Sequence, residues 1–156
     1  MIYQYVGAWA ENEFRLREEI RTSSKHNVWD YKDLVELLFE TVINPYIVKH
    51  SPISGKEFDL EEIVEIDHGS YQGTKIFLLH LDVYQPETFQ YVYTSVDYGS
   101  CSGCDTLQGI QSQSDLITYG PYPTPSQIDD YMTLCLHLFQ HTKFLSDDVE
   151  DVLSNG

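Results

Sequence analysis

The segment YGSCSGCDTLQG, residues 98–109, holds the most reactive atoms of the sequence, with Cys101 and Cys104 set in a run of small side chains. Cys-x-x-Cys is half of a tetrahedral zinc site. His137 and His141, spaced to share one helix face, are able to supply the other half. Cys101, Cys104, His137 and His141 therefore form a candidate ligand set with zinc as the cofactor. Cys135 cannot join it, because two helical residues rotate a side chain by about 200° and turn it away from His137. The same thiols become nucleophiles when deprotonated, and CDTLQGIQ reads as a short helix whose positive end would favour a thiolate. Against this, no Lys or Arg lies nearby, while Asp97 and Asp105 flank the run and oppose further negative charge. A thioredoxin-like alternation of strands and helices is absent, as is the lysine of a P-loop. The structural alternative is a tight turn permitted by Gly99, Ser100, Ser102 and Gly103, with both sulfurs packed as small buried groups. Three cysteines offer no paired framework, so reduced thiols in a cytosol are expected.

Charge supplies a second kind of chemistry. The 156 residues carry 25 acidic against 9 basic side chains, a formal net charge of -16. Direct nucleic-acid binding is disfavoured, since phosphate contacts require clustered Lys and Arg. The acids are unevenly placed: Glu57, Asp59, Glu61, Glu62, Glu65 and Asp67 lie within one short stretch, and no Lys or Arg occurs between Lys75 and Lys143. Tyr84, Tyr91, Tyr93 and Tyr98 fall in that base-free region, and tyrosine supplies contact area at small entropic cost. Together these acids and tyrosines are the candidate partner-binding residues for a basic protein surface. The rival reading of each is plain: acids solvate a surface, and strand tyrosines pack across a sheet. No GxSxG or HExxH motif occurs, and 25 acids single out no hydrolytic pair, so no catalytic residue is assigned and a non-enzymatic role is favoured.

The elements that must position these groups follow from periodicity. AENEFRLREEIR, residues 10–21, reads as an amphipathic helix. A stronger one runs from Asp30 to Ile43, with Pro45 expected to end it. LEEIVEIDH, KIFLLHLDV and QYVYTSVDY read as three strands, the second apolar enough to be covered on both faces, with a hairpin at GSYQGT. His80 reads as a half-buried strand residue and His68 as a turn residue. Thr124, Pro125 and Gln127 form a capping box ahead of a stripe of Ile128, Tyr131, Met132, Cys135, Leu138 and Phe139. The fold class is therefore α+β: an antiparallel meander of three or more strands covered by helices from the N- and C-terminal parts. One domain over 1–156 is expected, with the acidic tail 146–156 frayed. No apolar run is long enough to span a bilayer and no signal pattern opens the chain, so a cytoplasmic protein is expected.

The run YQPETFQYVYTSVDYGSCSGCDTLQGI, together with DYMTLCLHL, resembles a group of small tailed-phage and prophage proteins whose hallmark is a YGSCSGCDTLQ-like segment. The likeness covers residues 84–110 best, and Cys135 stands where a small apolar residue is expected. It implies a phage-type origin in a host cytoplasm and brings no catalytic residue with it. With the charge, it leads to an acidic protein-binding module that inhibits a basic, nucleic-acid-handling host defence protein, of the anti-CRISPR or anti-restriction class. A zinc-binding or thiol-dependent protein built on Cys101 and Cys104 is the alternative, and a phage accessory or assembly factor a third.

Overall fold

The computed structural model describes residues 1–51, 55–69 and 72–147. Helix α1 (Val6–Arg21) begins before its most regular stretch and buries Ala8, Asn12, Leu16 and Ile20, one residue per turn. Helix α2 (Tyr31–Leu38) starts at the expected boundary, where the structure shows a reciprocal cap: Asp30 accepts from the Asp33 N–H and Asp33 accepts from the Asp30 N–H, each at 2.9 Å.

The helix does not end at Pro45, contrary to expectation. It widens into a π turn over Phe39–Ile43 and continues as α3 (Asn44–His50). In the wider turn the Asn44 N–H reaches back to the Phe39 carbonyl. Pro45 consequently sits in the first turn of α3, where a missing N–H leaves no bond unmade. The proline marks a change of winding rather than a stop.

Strands β1 (Val64–Gly69), β2 (Gly73–His80), β3 (Tyr91–Tyr98) and β4 (Lys143–Phe144) form one antiparallel sheet in the order β1-β2-β3-β4. The architecture is thus α+β with an antiparallel meander. Within the GSYQGT connection, residues 70 and 71 lie outside the described residues, while its flanks pair Gly69 with Gly73. His68 belongs to β1 rather than to a turn, opposite Thr74. The expected fraying of 146–156 lies outside the described residues from 148 onward.

Helices cover one face of the sheet. Phe77, Leu79, Val92 and Thr94 point into that face and are fully buried, and the Thr94 hydroxyl donates to the Leu138 carbonyl at 2.7 Å. Ile76 and Leu78 carry the opposite parity and are only half-buried, so β2 is not covered on both faces by described residues. Its nearly unbroken apolar run serves a helix-packed core on one side and an apolar outer surface on the other.

Helices α4 (Thr106–Gln111) and α5 (Leu116–Tyr119) connect β3 to α6 (Pro125–Gln140). Thr124 and Gln127 form the reciprocal cap the sequence announces. The α6 stripe is buried throughout, Cys135 completely, against Leu16, Leu34, Leu38 and Phe39 in one apolar core. Among the described residues, no helix is long and apolar enough to cross a membrane.

Candidate functional site

The Cys-x-x-Cys segment is a tight turn, as its glycines suggest. The Cys104 and Asp105 N–H groups both donate to the Cys101 carbonyl, at 3.0 and 2.8 Å. Gly99 is required by proximity, since a Cβ there would meet the Cys104 carbonyl oxygen at 2.3 Å, whereas one at Gly103 would meet nothing within 4 Å.

The sulfurs, however, are not buried. Cys101 and Cys104 are exposed and lie at disulfide distance from one another, which corrects the expectation that both are packed as buried groups. The group that this turn buries is Asp105. Its carboxylate accepts from the Gly99 N–H at 3.0 Å, the Tyr31 hydroxyl at 3.0 Å and the Gln108 N–H at 2.9 Å, capping α4 and anchoring the turn to α2. Apolar surroundings could be supplied by the helices alone, but a buried carboxylate needs donors, and the turn provides them.

The zinc candidates are only partly assembled. Cys104, His137 and His141 line one cavity of about 650 Å³, with Asp97, Asp130 and Asp105 in its walls. Their ligand atoms do not converge, for among the described residues the sole triplet within 4.8 Å is elsewhere. The Cys104 sulfur moreover lies against that of Cys101. Cys135 faces the core on the far side of α6 from His137, as its spacing requires, and burial pushes its thiol up to about 12.

The acidic stretch is divided by the two-residue period of β1. Glu65 and Asp67 lie opposite Phe77 and Lys75, on the helix-facing side. There Lys75 stands 3.8 Å from Glu65, and Asp67 accepts the Tyr98 hydroxyl at 2.5 Å. That bond, with some burial, raises the Tyr98 pKa. Lys75 also lies 5.1 Å from the Tyr98 ring centroid, so this part of the stretch has local partners. Glu57 lines a different cavity beside Glu11 and Lys49, which are themselves ion-paired. Glu61 is exposed and donates its N–H to Asp59.

Asp59 and Glu62 converge on His80. The isolated bridge between Phe58 and Leu81, with the Asp59 N–H donating to the His80 carbonyl at 2.8 Å, ties the approach to β1 against the end of β2. Buried Asn44 holds this bridge from the other side, donating to the Phe58 carbonyl at 3.2 Å and accepting its N–H at 2.9 Å. His80 faces the Leu81 carbonyl with Nδ1 at 2.7 Å and Glu62 with Nε2 at 3.0 Å. Burial disfavours the imidazolium, but the bonds to Leu81 and Glu62 and the charges of Asp59 and Glu62 outweigh it, raising the His80 pKa. These three side chains border a cavity of about 930 Å³ walled also by Asp82, Tyr84 and Tyr91. Sequence reasoning gave His80 no partner. The local signal was the Asp-x-x-Glu spacing at 59–62, but the link to residue 80 exists only through strand pairing.

Beyond this cavity spreads the outer sheet face. Val64 is 50% exposed and Ile66 39%, and by register they join half-buried Ile76, Leu78, Tyr91 and Tyr93. Lys143 and Asp97 stand at its margins, and Tyr84, 91% exposed, projects beside its Asp59 end. No protein-family model, curated protein or solved structure matches the chain.

Proposed function

We propose that this protein is an acidic binding module that docks a basic, nucleic-acid-handling protein of its host through the outer face of the sheet. The observation carrying the reading is that face itself: exposed Val64 and Ile66 beside half-buried Ile76, Leu78 and Tyr91. Apolar surface of this kind is costly to leave in water and is characteristic of interaction sites. Charge selects the occupant. Asp59, Glu62, Asp82 and Asp97 border the face against Lys143, on a chain with net charge -16. A second copy would bring like charge to like, whereas a Lys- and Arg-rich surface gains from the encounter.

This reading shifts the expected contact. Glu65 and Asp67 are engaged with Lys75 and Tyr98, so the acidic margin is built from Asp59, Glu62, Asp82 and Asp97. Tyr84, Tyr91 and Tyr93 supply contact area, whereas Tyr98 belongs to the helix side. Phage-type origin and inhibition of a defence enzyme extend the same proposal and depend on the partner.

A photo-cross-linking amino acid at Val64, with one at exposed Phe14 as control, tests it in a bacterial host lysate. The expected product is a salt-sensitive adduct from position 64 to a nucleic-acid-binding protein, displaced by that protein's nucleic acid and absent from position 14. A self-adduct, equal labelling from both positions, or no adduct from position 64 would overturn the assignment.

A further inference from the structure

We infer that Asp59, Glu62 and His80 form a binding site for a first-row divalent metal ion such as Zn²⁺. Their ligand atoms all lie within 4.8 Å of one another, the span needed to surround one ion. Two ligands bound at about 2.1 Å in tetrahedral geometry are separated by about 3.4 Å, and His80 Nε2 lies 3.0 Å from Glu62 Oε2, a hydrogen-bond separation from which a small side-chain movement reaches that span.

The imidazole strengthens the case beyond a gathering of acids. Both ring nitrogens face oxygen acceptors, a backbone carbonyl at Nδ1 and a carboxylate at Nε2. An imidazolium donates to both acceptors, and a metal ion at Nε2 would take the place of the proton between the ring and Glu62 while the Nδ1–H still donates to Leu81. A carbonyl at Nδ1 is also the partner that orients a metal-ligating histidine, fixing the tautomer that leaves Nε2 free to bind. The Leu81 carbonyl occupies that position at 2.7 Å.

The scaffold holds the ligands in place. Asp59 and His80 are linked through the backbone bond between them, and Asn44 braces Phe58. His80 presents only 14% of its side chain to solvent, while Glu62 presents 70%, so the site has a fixed wall and an accessible one. One nitrogen with two carboxylates suits Zn²⁺, Co²⁺ or Mn²⁺ better than Ca²⁺, which takes oxygen ligands alone. Three protein ligands leave coordination positions open toward the 930 Å³ cavity.

Titration of the intact chain with Zn²⁺ by calorimetry, and with Co²⁺ by visible absorption, tests the site. One ion is expected per chain, bound at least about tenfold more weakly by Glu62→Gln and His80→Gln, and equally by Cys101→Ser/Cys104→Ser. Exposed Glu62 makes Glu62→Gln safe for folding, and circular dichroism checks both variants. Mn²⁺ should broaden amide resonances of residues 59–62 and 80–82. Absence of saturable binding below millimolar metal, affinity unchanged by Glu62→Gln, or loss confined to the cysteine variant would overturn the inference.

Discussion

Replacing Asp105 by alanine tests the role assigned to the turn around Cys101 and Cys104. The carboxylate is 5% exposed and accepts from the Gly99 N–H, the Tyr31 hydroxyl and the Gln108 N–H. Loss of the cap on α4 costs about 1 kcal/mol. Leaving the Gly99 N–H without its acceptor costs about 1–3 kcal/mol, and the Tyr31 hydroxyl adds about 1 kcal/mol because it retains a bond from the Leu107 N–H. The sum is a loss of about 3–5 kcal/mol, a large fraction of an ordinary domain's stability. Tyr31→Phe removes one of these bonds and should cost about 1–2 kcal/mol. Because the two side chains share a bond, the double variant should fall short of additivity by about 1 kcal/mol. Urea denaturation followed by circular dichroism, with and without reductant, measures all four corners of the cycle. An Asp105→Ala variant within about 0.5 kcal/mol of the parent, or full additivity with Tyr31→Phe, would refute the view that this carboxylate anchors the turn.

Asn44→Leu should destabilise the fold by about 2–4 kcal/mol through the unpaired Phe58 N–H and carbonyl, and hydrogen exchange should accelerate at Phe58 and Asp59 before the helices respond. Cys135 should resist thiol reagents in the native state, since it is fully buried and its thiol is pushed up to about 12. Mass spectrometry should find it labelled on unfolding and Cys101 and Cys104 labelled only after reduction. Burial lowers the His26 pKa, partly offset by the Tyr122 carbonyl, so below about pH 6.5 the unfolded chain gains a proton that the folded one resists. His26→Gln should therefore show a shallower loss of stability in urea between about pH 6.5 and 5 than the parent; equal slopes would exclude this role, the carboxylates being common to both proteins.

Local patterning made the secondary structure legible. Thr124 with Gln127 announces a helix start, because a cap is satisfied within a few residues of chain. Pro45 misled for a complementary reason: proline forbids one hydrogen bond, and the change to a π turn that avoids the loss extends beyond any local rule. Within the acidic stretch, sequence spacing placed six carboxylates together, whereas strand alternation and the chain's path sent Glu65 and Asp67 toward Lys75 and Tyr98, Glu57 to the wall of a separate cavity, and Asp59 with Glu62 toward His80. Proximity in sequence is not proximity of side chains where the backbone is extended.

By itself the sequence determined the net charge, the apolar periodicities and the capped helices, all properties of single residues or near neighbours, and from these the α+β class follows. Tertiary structure decided which side of the sheet the described helices cover, that Asp105 rather than a thiol is buried beneath the turn, and that His80 meets Asp59 and Glu62. Each of those depends on pairing between distant segments, where backbone hydrogen bonds fix the register and the register chooses the neighbours.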